Sequence, residues 1–152
     1  MRILVSACLV GINCRYNGSS EQFFIPELKE LVDKGIAVAV CPEVAGGLPV
    51  PREPMELDGK RIPRDRTGRS YLEEVERGNS TILSRYPPGS FQAAVLKENS
   101  PSCGCCMIYD GTFTGSRVPG QGLFAELLGN CGINVCSNES ISGLRDLLNS
   151  LC

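Results

Sequence analysis

Four short, continuous apolar runs constrain this chain more than any other feature. Segments of that length bury both faces only inside a sheet covered by helices. The first, Ile3-Leu4-Val5, leads into Ala7-Cys8, and the second, Ile36 to Val40, ends on Cys41-Pro42. Phe91 to Leu96 and Ile133 to Cys136 are the third and fourth. Between the first two runs Pro26 occupies a first helical turn, Leu28, Leu31 and Val32 share one face, and Gly35 supplies the stop. Strand, helix and strand in this order predict a right-handed crossover and parallel pairing. A second helix is expected from about residue 70 to about 86, with Leu72, Val75, Ile82 and Leu83 inward, weakened at Gly78 by about 1 kcal/mol relative to Ala. Leu123 to Leu128 and a segment opened by Ser140, with Leu144, Leu147 and Leu148, supply two more. The expected architecture is an α/β, Rossmann-like, three-layer single domain over residues 1–152, with a four-stranded, mostly parallel sheet. Pro42 to Pro63 is too rich in breakers for a helix, and Lys97 to Gly122, with a turn at Asp110-Gly111, is similarly irregular. Both are expected as long loops at the carboxyl ends of the strands, and ordered loops of that length are usually functional.

The chemistry available to such a fold is narrowed by what is missing. Nine cysteines stand among 152 residues that include no histidine and no tryptophan. Zinc sites that need an imidazole are excluded, and acid–base work falls to carboxylates, Lys, Tyr or Cys. The N-terminal stretch reads as a first strand and not as a signal peptide, and no segment approaches the roughly 18 apolar residues of a membrane span. A cytoplasmic protein is expected, in which an odd number of cysteines points to metal binding or thiol chemistry instead of disulfides. The net charge of −2 carries no footprint for generic nucleic-acid binding.

Cys8, Cys41 and Cys136 end three different runs, and Cys103 lies just beyond another. In a parallel sheet those ends share one edge, where α/β folds carry their ligand sites. Thiolates grouped there suit zinc or an iron–sulfur cluster. A free cysteine also packs well as a small hydrophobe, and core packing is the expected fate of Cys131, Cys136 and Cys152. Cys8, Cys41 and Cys103 begin Gly- or Pro-rich loops, where ligands are normally carried. Cys14, Cys105 and Cys106 fall between these groups, and the Cys103-Gly-Cys-Cys106 spacing matches neither paired zinc knuckles nor ferredoxins.

Three longer motifs carry a resemblance. Ser6-Ala-Cys-Leu-Val-Gly-Ile-Asn-Cys14-Arg-Tyr-Asn-Gly18, Cys41-Pro-Glu-Val-Ala-Gly-Gly-Leu-Pro-Val-Pro-Arg-Glu-Pro54, and Lys97-Glu-Asn-Ser-Pro-Ser-Cys-Gly104 with Ile108-Tyr-Asp-Gly111 resemble the thiouracil desulfidase family. The similarity runs in order along nearly the whole chain. It implies a [4Fe-4S] cluster held by Cys8, Cys41 and Cys103, with a fourth iron free of protein ligands. It further implies that this iron takes a substrate sulfur as a Lewis acid while water replaces the sulfur, without net redox change. A thiolated pyrimidine base or nucleotide is the implied small-molecule substrate. The extra domain that some longer relatives carry, associated with transfer-RNA substrates, is not expected here, and a free base or nucleotide is the more natural substrate.

Within that resemblance, Glu43 is expected to orient or deprotonate the attacking water, as a carboxylate must where no histidine exists. A solvated loop charge is the competing role. Ser100 and Ser102 are candidates for binding substrate or relaying a proton, against a plain turn role. Arg52 could pair with a carboxylate or hold a phosphate, and Gly46 and Gly47 permit a tight backbone path. Cys105 and Cys106 depart from the family motif and could compete for the fourth iron. A non-catalytic zinc- or cluster-binding module remains the main alternative, favoured by a closed four-thiolate site. A redox enzyme using Cys103 with Cys105 or Cys106 ranks below it, since no Cys-x-x-Cys opens a helix.

Overall fold

The computed structural model describes residues 2–150. The first apolar run becomes strand Arg2–Ser6 (β1), which passes into a 3₁₀ turn at Ala7–Val10, helix Pro26–Asp33 (α1) and strand Ala37–Val40 (β2). Then follow a short helix Pro42–Ala45 (α2), a hairpin of Glu56–Leu57 (β3) and Pro63–Arg64 (β4), and helix Leu72–Arg85 (α3). Strand Phe91–Leu96 (β5) leads to a second hairpin, Met107–Tyr109 (β6) with Arg117–Pro119 (β7). Helix Leu123–Asn130 (α4), strand Asn134–Ser137 (β8) and helix Ile141–Ser150 (α5) complete the order. The four apolar runs form one sheet in the order β2-β1-β5-β8, and each adjacent pair is parallel.

Alternation along the strands divides the core between two layers. Ile3, Val5, Ala37, Ala93 and Val95 face one side and pack with Leu28 of α1 and with Leu144, Leu147 and Leu148 of α5. Leu4, Val40, Ala94 and Leu96 face the other, against Ile82 of α3 and Phe124, Ala125 and Leu128 of α4. The three-layer α/β arrangement expected from the runs is therefore present. No described helix is long and apolar enough to cross a membrane.

Three expectations change. The segment after Cys41 is not purely loop, because α2 begins at Pro42, where proline's missing N–H would have had no helical partner anyway. Gly78 is also more than a weak point in α3. A Cβ there would stand 1.8 Å from the carbonyl oxygen of Pro42, and one on Gly46 would stand 1.9 Å from that of Glu74. The two helices thus meet backbone to backbone, which locks α2 and the cysteine before it onto α3. Cys131, expected in the core, is exposed beyond the end of α4, whereas Cys136 is half-buried and packs against the Ile3 side of the sheet. Cys152 lies outside the described residues.

Gly78→Ala tests this contact because two effects give it opposite signs. Helix propensity alone would stabilise the protein by about 1 kcal/mol. The overpacked contact is expected to win and lower the unfolding free energy by about 3 kcal/mol, read as a lower urea midpoint. An unchanged or raised midpoint would show that the helices separate without cost.

Candidate functional site

Strand order reverses at β1, whose neighbours are β2 on one side and β5 on the other. The crevice outside the carboxyl ends at such a point is the usual ligand position in an open α/β sheet. Here it is a cavity of about 410 Å³, with walls supplied by the loops after β1, β2 and β5. The 3₁₀ turn after β1 brings Cys8, the end of β2 brings Cys41 and Glu43, and the loop after β5 brings Lys97, Ser100 and Cys103. The sequence-proposed ligands Cys8, Cys41 and Cys103 therefore line one cavity. Cys14 joins them as a fourth thiol, while Cys105 and Cys106 do not line this cavity.

The thiols interact with one another. The Cys41 Sγ points at the Cys14 carbonyl oxygen at 4.0 Å, and the Cys14 thiol interacts with both Cys41 and Cys8. Contact with Cys41 favours the Cys14 thiolate, but Cys8 and burial outweigh it and push the Cys14 pKa up to about 11. The neighbouring Cys14 thiol and then burial raise Cys41. Burial raises Cys103, against a hydrogen bond from Ser6 that favours its thiolate. Cys8, Cys41 and Cys103 are not among the donor sets gathered within 4.8 Å in the described residues. A single tetrahedral ion would need thiolates about 3.8 Å apart. An all-thiol set spread more widely around a cavity matches the donor chemistry of a polynuclear iron–sulfur group better than that of one ion.

Glu43 lines the same cavity in a fixed orientation. Its Oε1 accepts from the Arg52 Nε at 3.2 Å and Nη2 at 3.1 Å, and its Oε2 accepts from the Ser102 hydroxyl at 3.2 Å. Arg52 is held in turn by the Pro49 carbonyl through Nη1, and its own N–H donates to the Tyr16 carbonyl. The guanidinium is thus committed to Glu43, as one of the two sequence expectations had it. Ser102 is fully buried and lies behind the cavity wall, so it meets the site through Glu43. Ser100 does line the cavity. Its Oγ accepts the N–H groups of Ser102 and Cys103 at 3.1 and 3.0 Å, fixing the turn that presents Cys103. Both bonds use lone pairs and leave the hydroxyl proton for a ligand.

Sequence reasoning missed the remaining walls. Lys97 is buried at the end of β5, donates to the Glu98 carbonyl at 2.7 Å and lies 4.1 Å from the centre of the Phe23 ring. Burial and then Arg15 lower its pKa. The Arg15 guanidinium covers Phe23 as well, at 4.6 Å, and Tyr16, Tyr109 and Phe113 add aromatic surface. The position of Lys97 at a strand end was a usable signal. The aromatic residues come from two distant segments, the one between β1 and α1 and the β6–β7 hairpin, and had none.

Arg52→Gln in the cluster-free protein is expected to cost about 2 kcal/mol of stability, because it removes charge-assisted bonds and leaves Glu43 half-paired. Glu43→Gln introduced with it should recover part of that loss in a double-mutant cycle. Additive losses from the two substitutions would contradict the coupling.

A model of the 2-thiouracil desulfurase family matches residues 3–140. The uncharacterized protein YbbK of Bacillus subtilis (strain 168) is 39% identical over 151 residues, covering 93% of this chain and 99% of that protein. A solved structure described as the [4Fe-4S]-dependent thiouracil desulfidase TudS (DUF523Vcz) superposes with a TM-score of 0.88 at 40% identity, covering 99% of each chain.

Proposed function

This chain belongs to the 2-thiouracil desulfurase family, and from that premise we propose that it removes sulfur from a thiolated pyrimidine. The overall change is C=S plus water to C=O plus hydrogen sulfide, with no electrons gained or lost, which makes the enzyme hydrolase-like. The supporting observation is the convergence of Cys8, Cys41 and Cys103, one from each of three strand-end loops, on a cavity that also holds Glu43. These three cysteines are the ligands we assign to a [4Fe-4S] cluster, as in the name of the similar solved structure. When bound, such a cluster supplies a Lewis acid at the iron that has no cysteine, suited to the soft sulfur of a thiocarbonyl.

The chain's own residues then account for the rest. Arg52 and Ser102 hold the Glu43 carboxylate from both oxygens, so it faces the cavity without having to search for an orientation. Glu43 positions water for attack on the ring carbon and accepts its proton, the task a general base performs elsewhere with histidine. Ser102 is a positioning residue for Glu43. Ser100 reaches the cavity itself and offers its hydroxyl proton to a ring heteroatom. Tyr16, Phe23, Tyr109 and Phe113 supply flat apolar surface for a pyrimidine, while Lys97 and Arg15 bring positive charge beside it. On this reading the chain is a cytoplasmic, single-domain enzyme acting on a free base or nucleotide, for which a cavity of about 410 Å³ has room.

Cys14 is the group that would decide against this reading, since a cluster closed by a fourth thiolate has no place for substrate. Cluster-loaded wild-type protein is expected to convert 4-thiouracil, 2-thiouracil or a thiouridine nucleotide to the oxo form with release of sulfide. Cys14→Ser should keep its iron, whereas replacing Cys8, Cys41 or Cys103 should abolish cluster assembly. A Glu43→Gln variant should retain iron but lose about 10²-fold or more in turnover. A loaded wild-type protein inactive on every one of these compounds would reject desulfuration. Full activity in Glu43→Gln would reject only the role of that residue.

A further inference from the structure

Behind the loop that carries Cys103 lies a second set of soft donors that the proposed chemistry does not use. Cys105 and Cys106 are adjacent in sequence, with their Sγ atoms 3.6 Å apart. Glu98 Oε2 stands 3.5 Å from the Cys105 Sγ. One donor atom from each of Glu98, Cys105 and Cys106 falls within 4.8 Å of the others. Among the described residues none of the three forms a salt bridge, and neither thiol lines the cavity of Cys8, Cys41 and Cys103, which Glu98 does line.

These separations can be compared with what a single ion requires. Two thiolates bound at about 2.3 Å to a tetrahedral zinc stand about 3.8 Å apart, and a thiolate with a carboxylate oxygen bound at about 2.0 Å stands about 3.5 Å away. The 3.6 Å and 3.5 Å found here differ little from those values. The carboxylate is also fixed before any ion arrives. Oε1 accepts the backbone N–H groups of Cys105, Cys106 and Met107 at 2.9, 3.0 and 3.0 Å, and the Ser137 hydroxyl donates to the same carboxylate. Holding a ligand oxygen in place from outside the coordination sphere is how metal sites are usually preorganised. Glu98 is buried, Cys105 half-buried and Cys106 exposed, so the open side of the set faces solvent.

We propose that Glu98, Cys105 and Cys106 form a mononuclear site for a thiophilic d¹⁰ divalent cation such as zinc, next to the cysteine cavity but with thiols that do not line it. The protein supplies two thiolates and one carboxylate oxygen, and the fourth tetrahedral position is left to water. Binding displaces the two thiol protons to solvent and changes no oxidation state. The ion ties the Cys105-Cys106 turn to the end of β5, and so fastens from behind the loop that presents Ser100 and Cys103.

The test uses cluster-loaded protein, because cluster-free protein would offer the cavity thiols to the same ion. It is incubated anaerobically with zinc sulfate, desalted and assayed for both metals. About one zinc per chain is expected beside about four irons. Zinc K-edge absorption should show two sulfur and two lighter ligands. Cys106→Ser alters an exposed side chain by one atom and should lose the zinc with iron content unchanged, and Cys105→Ser should do the same. Glu98→Gln keeps an oxygen for the three N–H donors and should weaken zinc retention by about 10-fold or more. No zinc on the loaded wild-type protein would overturn the proposal, as would equal retention by both serine variants. A shell of four sulfurs would overturn it too, by placing the ion on other thiols.

Discussion

Parallel registration of β1 between β2 and β5 is the constraint on which the rest of this structure depends. Ser6 pairs with Val40 and Val5 with Val95, so three strands reach their carboxyl ends at nearly the same level. Residues far apart in sequence then leave the sheet side by side. Cys8 turns over in a 3₁₀ helix, Cys41 stops at Pro42, and the chain after Leu96 loops back to deliver Cys103. The Lys97 N–H donates to the Ser6 hydroxyl and ties two of these exits together directly. A sheet with mixed strand directions would scatter the same cysteines between opposite edges.

Two carboxylates, one half-buried and one buried, show how a histidine-free chain divides its acid–base groups between tasks. Glu43 faces the cavity between Arg52 and Ser102, an arrangement that fixes its direction and leaves it beside the thiols. Glu98 also lines the cavity, but its Oε1 is bound to the backbone just after Cys103 and Gly104. Burial opposes its ionisation, yet the Ser137 hydroxyl and the N–H groups of Cys106 and Met107 hold its pKa down to about 2. The first carboxylate is placed to meet a ligand, and the second fixes the backbone that presents one. Neither role follows from residue type, since both residues are glutamates just beyond a strand end.

The legible part of the sequence was its apolar periodicity. The runs at Ile3, Ile36, Phe91 and Ile133 announced four strands of a mostly parallel sheet, and with them the edge where the cysteines gather. What stayed hidden depends on contacts between distant backbones. Gly78 read as a flaw in a helix, because nothing local announces that Pro42 will pass against it. The segment after Cys41 read as breaker-rich loop, although a proline can open a helix as readily as end one. Ser102 could be picked out as a hydroxyl near a proposed ligand. That it would be sealed behind Glu43, and that Ser100 would brace the turn, are matters of side-chain direction that spacing does not encode.

The central claim is that three cysteines hold a cluster with one iron open to substrate, and Mössbauer spectroscopy of ⁵⁷Fe-reconstituted protein tests it most directly. The account predicts that about one iron in four is distinct from the others, and that its signal alone shifts when a thiouracil is added. Four iron sites with the same thiolate environment, unmoved by substrate in the wild type and in Cys14→Ser, would contradict it.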